Sequence, residues 1–142
     1  MTALVDTSVV LRKLFGEPRA LAEWARIRDA FASRILLVEL GRMIDRSRLT
    51  SAIDDAQVEQ LQSEARRLLR SVALVALTDR ILTRAAGPMA TVVGTLDAIH
   101  LATAQVLTNE SGTALIAFVT YDRRLLESAK AAGLPTASPG QN

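Results

Sequence analysis

The sequence predicts a single α/β domain built on a mostly parallel sheet. Short apolar runs follow one another along the chain with segments of helical periodicity between them, which is the pattern of a parallel sheet flanked by helices. The chain has 142 residues, and 49% of them are hydrophobic, so it can form one core but has little room for two domains. Two of the apolar runs carry an acid at their carboxyl end, and parallel sheets bind ligands at the carboxyl ends of their strands.

Composition and charge exclude several classes of protein. The chain has no cysteine, so any metal ion must be bound by oxygen or by the single histidine, His100. The longest apolar runs are far shorter than the roughly 20 residues that cross a bilayer, and the N-terminus lacks the pattern of a signal peptide, so we expect a cytoplasmic protein. Seventeen basic and 15 acidic residues give a net charge of +2, which permits nucleic-acid binding without requiring it.

The boundaries of the elements follow from apolar spacing, helix caps and glycine or proline breaks. Residues 1–137 are expected to form one folded domain, and residues 138–142 a short flexible tail. The first half of the chain is predicted to contain a strand at 4–5, a helix that Thr7 and Ser8 can cap, a helix from Pro18 to about Arg28, a strand at 30–32, a helix from the capping residue Ser33 to about 48 and a helix over 54–70. The second half is predicted to contain a buried strand over 72–77, a helix over 79–86, a helix over 96–108, a strand over 114–119, a helix over 123–132 and a short strand after Pro135.

Four acids lie within or beside apolar elements: Asp6, Glu39, Asp97 and Asp122. A buried carboxylate needs a partner, such as an arginine, the amides of a helix end or a metal cation. Two carboxylates about 4 Å apart repel by roughly 4 kcal/mol at an effective dielectric near 20, and a bound divalent cation reverses the sign of that interaction. A cation therefore explains all four acids together, and an all-oxygen site suits Mg²⁺ or Mn²⁺.

Each of the four acids also has a purely structural explanation. Asp6 can end a strand and cap the next helix. Glu39 can pair with Arg42 on the surface of one helix. Asp97 stabilises a helix N-terminus through its charge, and Asp122 stands where a helix N-cap is common.

Four segments of the chain resemble, in order and spacing, those of PIN-domain ribonucleases. They are 4–8 (LVDTS), 33–40 (SRILLVEL), 96–104 (LDAIHLATA) and 118–125 (FVTYDRRL). In a chain of this size they are most similar to the VapC-type toxins of bacterial toxin–antitoxin pairs. The resemblance covers nearly the whole sequence and implies a PIN-like fold.

The resemblance also implies an activity, a cofactor and a set of site residues. The implied activity is hydrolysis of RNA phosphodiester bonds by an endoribonuclease, the toxin of a type II pair, with Mg²⁺ or Mn²⁺ as cofactor. His100 could contact substrate, polarise a carboxylate or be a structural histidine. The implied catalytic and metal-binding residues are Asp6, Glu39, Asp97 and Asp122, with the hydroxyls of Thr7, Ser8 and Thr120 as possible supports.

The implied partners are an RNA substrate, a VapB-type antitoxin protein and a second copy of the chain in a homodimer. Four arginines are either phosphate contacts or ion-paired or solvated side chains. They are Arg42, Arg46, Arg123 and Arg124. Four apolar side chains belong either to a groove for an antitoxin peptide or to the core. They are Leu14, Phe15, Leu21 and Trp24.

Other functions fit parts of the sequence. An aspartyl phosphatase requires a second aspartate two positions after Asp6, where Ser8 stands, and the paired acids and late lysine of a receiver domain are missing. A non-catalytic α/β interaction module and a housekeeping PIN-type nuclease without an antitoxin both remain alternatives. Metal-dependent RNA cleavage would exclude the first, and a neighbouring antitoxin gene would argue against the second.

Overall fold

The computed structural model describes residues 1–17, 19–20, 24–111 and 116–137. In these residues the strands and helices follow one another as the sequence predicts. The strands are β1 (Thr2–Val5), β2 (Asp29–Ser33), β3 (Val72–Val75), β4 (Ile116–Val119) and β5 (Thr136–Ala137). The helices are α1 (Thr7–Leu14), α2 (Ile35–Leu49), α3 (Asp55–Leu69), α4 (Asp79–Ala86), α5 (Thr95–Ser111) and α6 (Arg123–Ala131).

The five strands form one sheet in the order β3-β2-β1-β4-β5, and every pair is parallel. The prediction of a mostly parallel sheet is therefore confirmed. The central strand β1 pairs with β4 so that Val5 lies beside Val119. The next residues, Asp6 and Thr120, consequently leave the sheet side by side at its carboxyl edge, where the Asp6 N–H donates to the Val119 carbonyl at 3.3 Å.

Helices cover both faces of the sheet, because successive side chains of a strand point to opposite sides. Ala3 and Val5 of β1 pack in one apolar cluster with side chains of α1 and α2. Leu4, between them, packs in a second cluster with Phe118 and with Leu101 of α5 and residues of α6. This two-sided packing sets α1 and α2 on one face and α5 and α6 on the other, so their side chains can converge at one edge.

The helix starts follow the local chemistry with two differences from prediction. Asp6 is the N-cap of α1, and Thr7 and Ser8 lie inside the helix and do not cap it. Asp54 caps α3 in a reciprocal capping box with Gln57, and the Thr78 hydroxyl caps α4, which Asp79 then opens. Helix α2 begins after Arg34, which makes no side-chain cap, although the Ser33 hydroxyl accepts from the Ile35 N–H at 3.2 Å. Ser33 thus supports the helix start from the end of β2 and is not itself the N-cap.

The prediction of a buried strand over 72–77 is wrong in length and burial. Strand β3 ends at Val75 and only Val72 is buried, because β3 lies at the edge of the sheet and has one neighbour, β2. The chain then turns, with the Thr78 N–H donating to the Ala76 carbonyl. Leu77 is left exposed beside α4.

Three predicted segments lie partly or wholly outside the described residues: the helix from Pro18, the first residues of the strand over 114–119, and the tail 138–142. The helix does not reach Arg28 as predicted. The Ile27 N–H donates to the Trp24 carbonyl and closes a turn. The Arg28 N–H donates to the Met1 carbonyl, directly before β2 begins at Asp29. Within the described residues no helix combines the length and apolar character needed to span a membrane.

Candidate functional site

Asp6 is a buried carboxylate at the carboxyl end of the central strand, with 4% of its surface exposed. Its Oδ1 accepts from the Ser8 hydroxyl at 2.6 Å and from the Val9 N–H at 3.3 Å, and its Oδ2 accepts from the Thr120 hydroxyl at 2.6 Å. Burial raises the pKa of Asp6 above its usual value, although these hydrogen bonds and His100 act against the rise. Asp6 therefore caps α1, as its structural explanation requires, and also lies among the other acids.

The hydroxyls of Ser8 and Thr120 join two parts of the chain to Asp6. Thr120 is fully buried and also accepts from the Asp122 N–H at 3.0 Å. Ser8 accepts from the Tyr121 N–H at 3.0 Å. The start of α1 and the segment after β4 are thus held together by hydrogen bonds that meet at one carboxylate.

Glu39 lies in the second turn of α2 and is held at one oxygen. Its Oε1 accepts from the Thr7 hydroxyl at 2.8 Å and lies 2.6 Å from His100 Nε2. Burial opposes ionisation of Glu39, but the hydrogen bond and attraction of His100, with the Thr7 hydroxyl, outweigh it and lower the pKa. The alternative ion pair with Arg42 does not form, because Arg42 binds Asp45 at 2.7 Å.

His100 is 1% exposed and lies on α5, three residues after Asp97. An ionised carboxylate only accepts hydrogen bonds, so the Nε2–H of His100 is the donor to Glu39. The Nδ1 atom is buried and has no hydrogen-bond partner in the described part of the chain. Of the three sequence hypotheses for His100, the geometry matches the one in which the ring acts on a carboxylate.

Asp97 and Asp122 complete the acidic group. Asp97 is half-buried in the first turn of α5, and no hydrogen bond reaches its carboxylate from the described residues. Burial and then the charge of Asp122 raise its pKa, Asp6 and Glu39 add to the rise, and His100 opposes it. Asp122 is exposed and caps α6, its Oδ1 accepting from the Arg124 and Leu125 N–H groups at 2.8 and 3.1 Å.

The structure therefore brings Asp6, Glu39 and Asp122 within electrostatic range of Asp97. Among residues 1–17, 19–20, 24–111 and 116–137, none of the four forms an ion pair with lysine or arginine. No three histidine, aspartate or glutamate side chains in these ranges stand in an arrangement that would hold an ion. Mutual repulsion opposes such an arrangement. The donor set, which is entirely carboxylate oxygen, nevertheless fits a hard divalent cation.

A groove of about 360 Å³ lies at the end of α1, between α1 and α3. Leu14, Trp24 and Leu68 supply apolar side chains to it, Lys13 and Arg67 are basic, and Glu64 is acidic. Leu14 is buried, so it belongs to both the core and the groove wall. Phe15 is 49% exposed, which excludes a core position, and Leu21 lies outside the described residues.

One pair of side chains beside the acids was missed by sequence reasoning. The Arg12 guanidinium carbon lies 3.8 Å from the centroid of the Tyr121 ring. The sequence contains two hints of this contact. Tyr121 stands between Thr120 and Asp122, and Arg12 follows Ser8 by four residues on the same helix. These hints indicate a contact only when it is known that α1 and the end of β4 lie together.

The fold and the acidic edge define a class of α/β domain, and comparison with known sequences identifies it. The model of the PIN domain family matches residues 3–131, and the chain belongs to this family. The chain is 35% identical over 143 residues to Ribonuclease VapC47 of Mycobacterium tuberculosis (strain CDC 1551 / Oshkosh), with 96% of each chain covered. It is 32% identical over 137 residues to Ribonuclease VapC46 of Mycobacterium tuberculosis (strain ATCC 25618 / H37Rv), with 95% of each covered.

Solved structures confirm the fold. The chain matches VapBC2 from Rickettsia felis bound to a DNA fragment from their promoter with a TM-score of 0.69 at 15% identity, covering 97% of this chain and 98% of that chain. It matches a toxin–antitoxin complex from Klebsiella pneumoniae with a TM-score of 0.69 at 15% identity, covering 99% and 100%. At this level of identity the likeness concerns the arrangement of the backbone.

We expect Asp97→Asn to stabilise the protein in metal-free buffer, and the gain to grow as the pH rises. A raised pKa means that the folded state binds the proton more tightly than the unfolded state, so stability falls as the pH rises through the folded pKa. Below the ordinary aspartate pKa of about 3.9 the carboxyl is neutral in both states and the gain disappears. Urea unfolding at several pH values, with EDTA present, measures the difference from wild type.

Asp55→Asn and Asp79→Asn are matched controls, because both residues stand in the first turn of a helix. Each removes the charge at a helix N-terminus as Asp97→Asn does. If all three substitutions respond to pH in the same way, the pKa of Asp97 is not raised and the proposed repulsion is absent.

Proposed function

We propose that this protein is a divalent-metal-dependent endoribonuclease, the toxin of a toxin–antitoxin pair, and that it acts on RNA in the cytoplasm. The observation that carries the proposal is the convergence of four acids at the carboxyl edge of the sheet, where Asp122, Asp6 and Glu39 raise the pKa of Asp97. Two relatives named as ribonucleases, which match nearly the whole chain, support the RNA substrate. Structural neighbours solved as toxin–antitoxin assemblies support an antitoxin partner.

The carboxylate oxygens left without hydrogen bonds from described residues would hold the cation. They are Oε2 of Glu39, Oδ2 of Asp122 and both oxygens of Asp97, while Asp6 would use lone pairs that its three donors leave open. When bound, a divalent cation would activate a water for attack on the phosphodiester and stabilise the leaving oxygen. Mg²⁺ and Mn²⁺ both suit such oxygen ligands.

The remaining polar residues position these carboxylates. Ser8 and Thr120 hold the two oxygens of Asp6 from different sides, and Thr7 and His100 hold Glu39 at Oε1. Carboxylates that are already oriented lose less freedom when they bind a ligand. These four residues therefore contribute to activity through the acids that they hold.

Exposed arginines next to the acids would bind the RNA backbone. Arg123 and Arg124 follow Asp122 directly and are exposed, as is Arg46 on α2. Arg42 is also exposed but shares Asp45 with Arg48, so part of its charge is already compensated.

An antitoxin segment would bind in the groove between α1 and α3. Its apolar side chains would pack on Leu14, Trp24 and Leu68, and an acidic side chain would pair with Lys13 or Arg67 on the rim. The groove is a short distance along α1 from the acids, because Lys13 and Leu14 end the helix that Asp6 caps. Formation of a homodimer stays a prediction from the family resemblance.

Asp6→Asn, Glu39→Gln and Asp97→Asn are each expected to abolish RNA cleavage and toxicity, since each removes a charged ligand at nearly constant volume. Stabilisation by a metal ion contributes several kcal/mol to such reactions, so the rate should fall by at least about a hundredfold. Asp122→Asn should have a smaller effect, because one of its oxygens already caps α6. Cleavage of purified RNA in Mg²⁺ or Mn²⁺ measures the rates.

Glu59→Gln is the control, because Glu59 is an exposed acid of α3 outside the site. It should retain full activity. Wild-type activity in any one of the first three variants, with a normal unfolding curve, would remove that residue from the site.

Mg²⁺ or Mn²⁺ is expected to raise the melting temperature, because only the folded protein gathers the acids. A concentration about 100 times the dissociation constant stabilises one site by roughly 2.7 kcal/mol, and each kcal/mol shifts the midpoint by roughly 2–4 °C at about this size. We therefore expect a rise of about 5–10 °C. Thermal unfolding during a metal titration measures it.

The double variant Asp6→Asn with Asp97→Asn distinguishes metal binding at this site from metal binding elsewhere on the protein. Without metal it should be more stable than wild type, since repulsion is relieved, and it should gain little when metal is added. An equal response of wild type and double variant across the titration would show that the cations bind elsewhere.

Co-expression with the product of an adjacent antitoxin gene is expected to restore growth, and Arg67→Glu should weaken that complex about tenfold, or about 1.4 kcal/mol. The matched control is Arg66→Glu, an exposed arginine one position away that does not line the groove. Affinity measured with both purified variants compares them. Equal affinities would place the antitoxin elsewhere, and failure of the adjacent product to bind would contradict the toxin assignment.

A further inference from the structure

We propose that Arg12 and Tyr121 form a stacking site for a nucleobase of the RNA substrate, beside the acidic group. This proposal rests on the proposed ribonuclease function and adds a place where the substrate is held by its base. The Arg12 guanidinium lies over the Tyr121 ring, with its central carbon 3.8 Å from the ring centroid. The guanidinium therefore already covers one face of the ring before any ligand is present.

Tyr121 is positioned by the same hydrogen bonds as the most buried acid. Its N–H donates to the Ser8 hydroxyl, which in turn donates to Oδ1 of Asp6 at 2.6 Å. The preceding residue, Thr120, donates to Asp6. The following residue, Asp122, raises the pKa of Asp97. The backbone of Tyr121 consequently has a defined place at the border of the acidic group, and its side chain packs against the apolar cluster that includes Val9 and Leu36.

Arg12 lies on α1 beyond Ser8, and its side chain is partly exposed to solvent. It follows Ser8 by four residues on α1, which is roughly 6 Å along the helix axis. The Arg12 side chain is 44% exposed and its Nη1 atom lies 3.4 Å from Glu17 Oε2. The guanidinium is thus fixed by a ring below and a carboxylate at one side, yet remains accessible to a ligand.

The chemistry of this pair favours a base over a phosphate. Single-stranded RNA is recognised by stacking of its unpaired bases on aromatic rings and on arginine planes. A phosphate would have to compete with Glu17, whose carboxylate already pairs with Arg12. A neutral planar base does not compete with Glu17 and can stack on the guanidinium while its own phosphate lies at the cation that the acids would hold.

The test compares two ligands that differ only in their bases: a short labelled oligoadenylate and an abasic ribose-phosphate chain of the same length. Binding is measured by fluorescence anisotropy in Mg²⁺, with Asp97→Asn as the parent protein so that the RNA stays intact. Arg12→Lys keeps the charge and loses the plane, Tyr121→Leu loses the ring, and Tyr121→Phe keeps it. Thermal unfolding confirms that each variant is folded.

We expect the parent to prefer oligoadenylate. Arg12→Lys and Tyr121→Leu should bind oligoadenylate about fivefold to a hundredfold more weakly, the usual range for loss of one base stack, while their affinity for the abasic chain stays the same. Tyr121→Phe should behave as the parent does. This pattern requires a base on the stack, which a merely structural contact between Arg12 and Tyr121 would not produce.

The opposite results are equally distinct. If Arg12→Lys binds oligoadenylate as tightly as the parent, the stack supports the fold or a protein partner and the proposal is overturned. Equal weakening for both ligands would assign Arg12 to a phosphate, and equal affinity of the parent for both ligands would also overturn the base site. These outcomes leave the ribonuclease proposal standing, whereas a parent that binds neither ligand would contradict both.

Discussion

The hydrogen bond from the Thr120 hydroxyl to Asp6 joins the ends of the two strands at the centre of the sheet. Parallel pairing of Val5 with Val119 makes this bond possible, because it sends the next residue of each strand out at the same edge. Asp6 is buried, and a buried carboxylate without donors would be strongly unfavourable. Three donors satisfy it, and through them the start of α1 and the segment before α6 take their places.

The same constraint explains why hydroxyl groups surround the acids. Ser8, Thr120 and Thr7 donate to carboxylates without carrying a positive charge. An arginine in any of these places would neutralise an acid and leave less negative charge for a cation. Hydroxyl donors instead orient the carboxylates while the group as a whole stays negative. This negative charge adds to burial in raising the pKa of Asp97.

His100 shows how α5 serves both the core and the acidic group. Its ring is buried and belongs to a helix that covers one face of the sheet, yet its Nε2 reaches Glu39 on α2, a helix that packs on the other face. The contact therefore crosses the edge of the sheet. Burial strengthens such a bond by lowering the local dielectric, so Glu39 stays ionised although it is half-buried. Arg12 on Tyr121 makes a similar connection between α1 and the end of β4.

The sequence by itself determined the α/β class, the order of the elements and the presence of acids after Val5 and shortly after Val119. Local periodicity encodes strands and helices, and parallel strands present the residues that follow them at one edge, so Asp6 and Asp122 could be expected to meet. Only the tertiary structure decided that β3 is an edge strand with one buried residue, that His100 binds Glu39 across 61 positions of sequence, and that Arg12 stacks on Tyr121. These features depend on how helices from opposite faces of the sheet pack together at its carboxyl edge. A local sequence pattern does not determine the distance between two such helices.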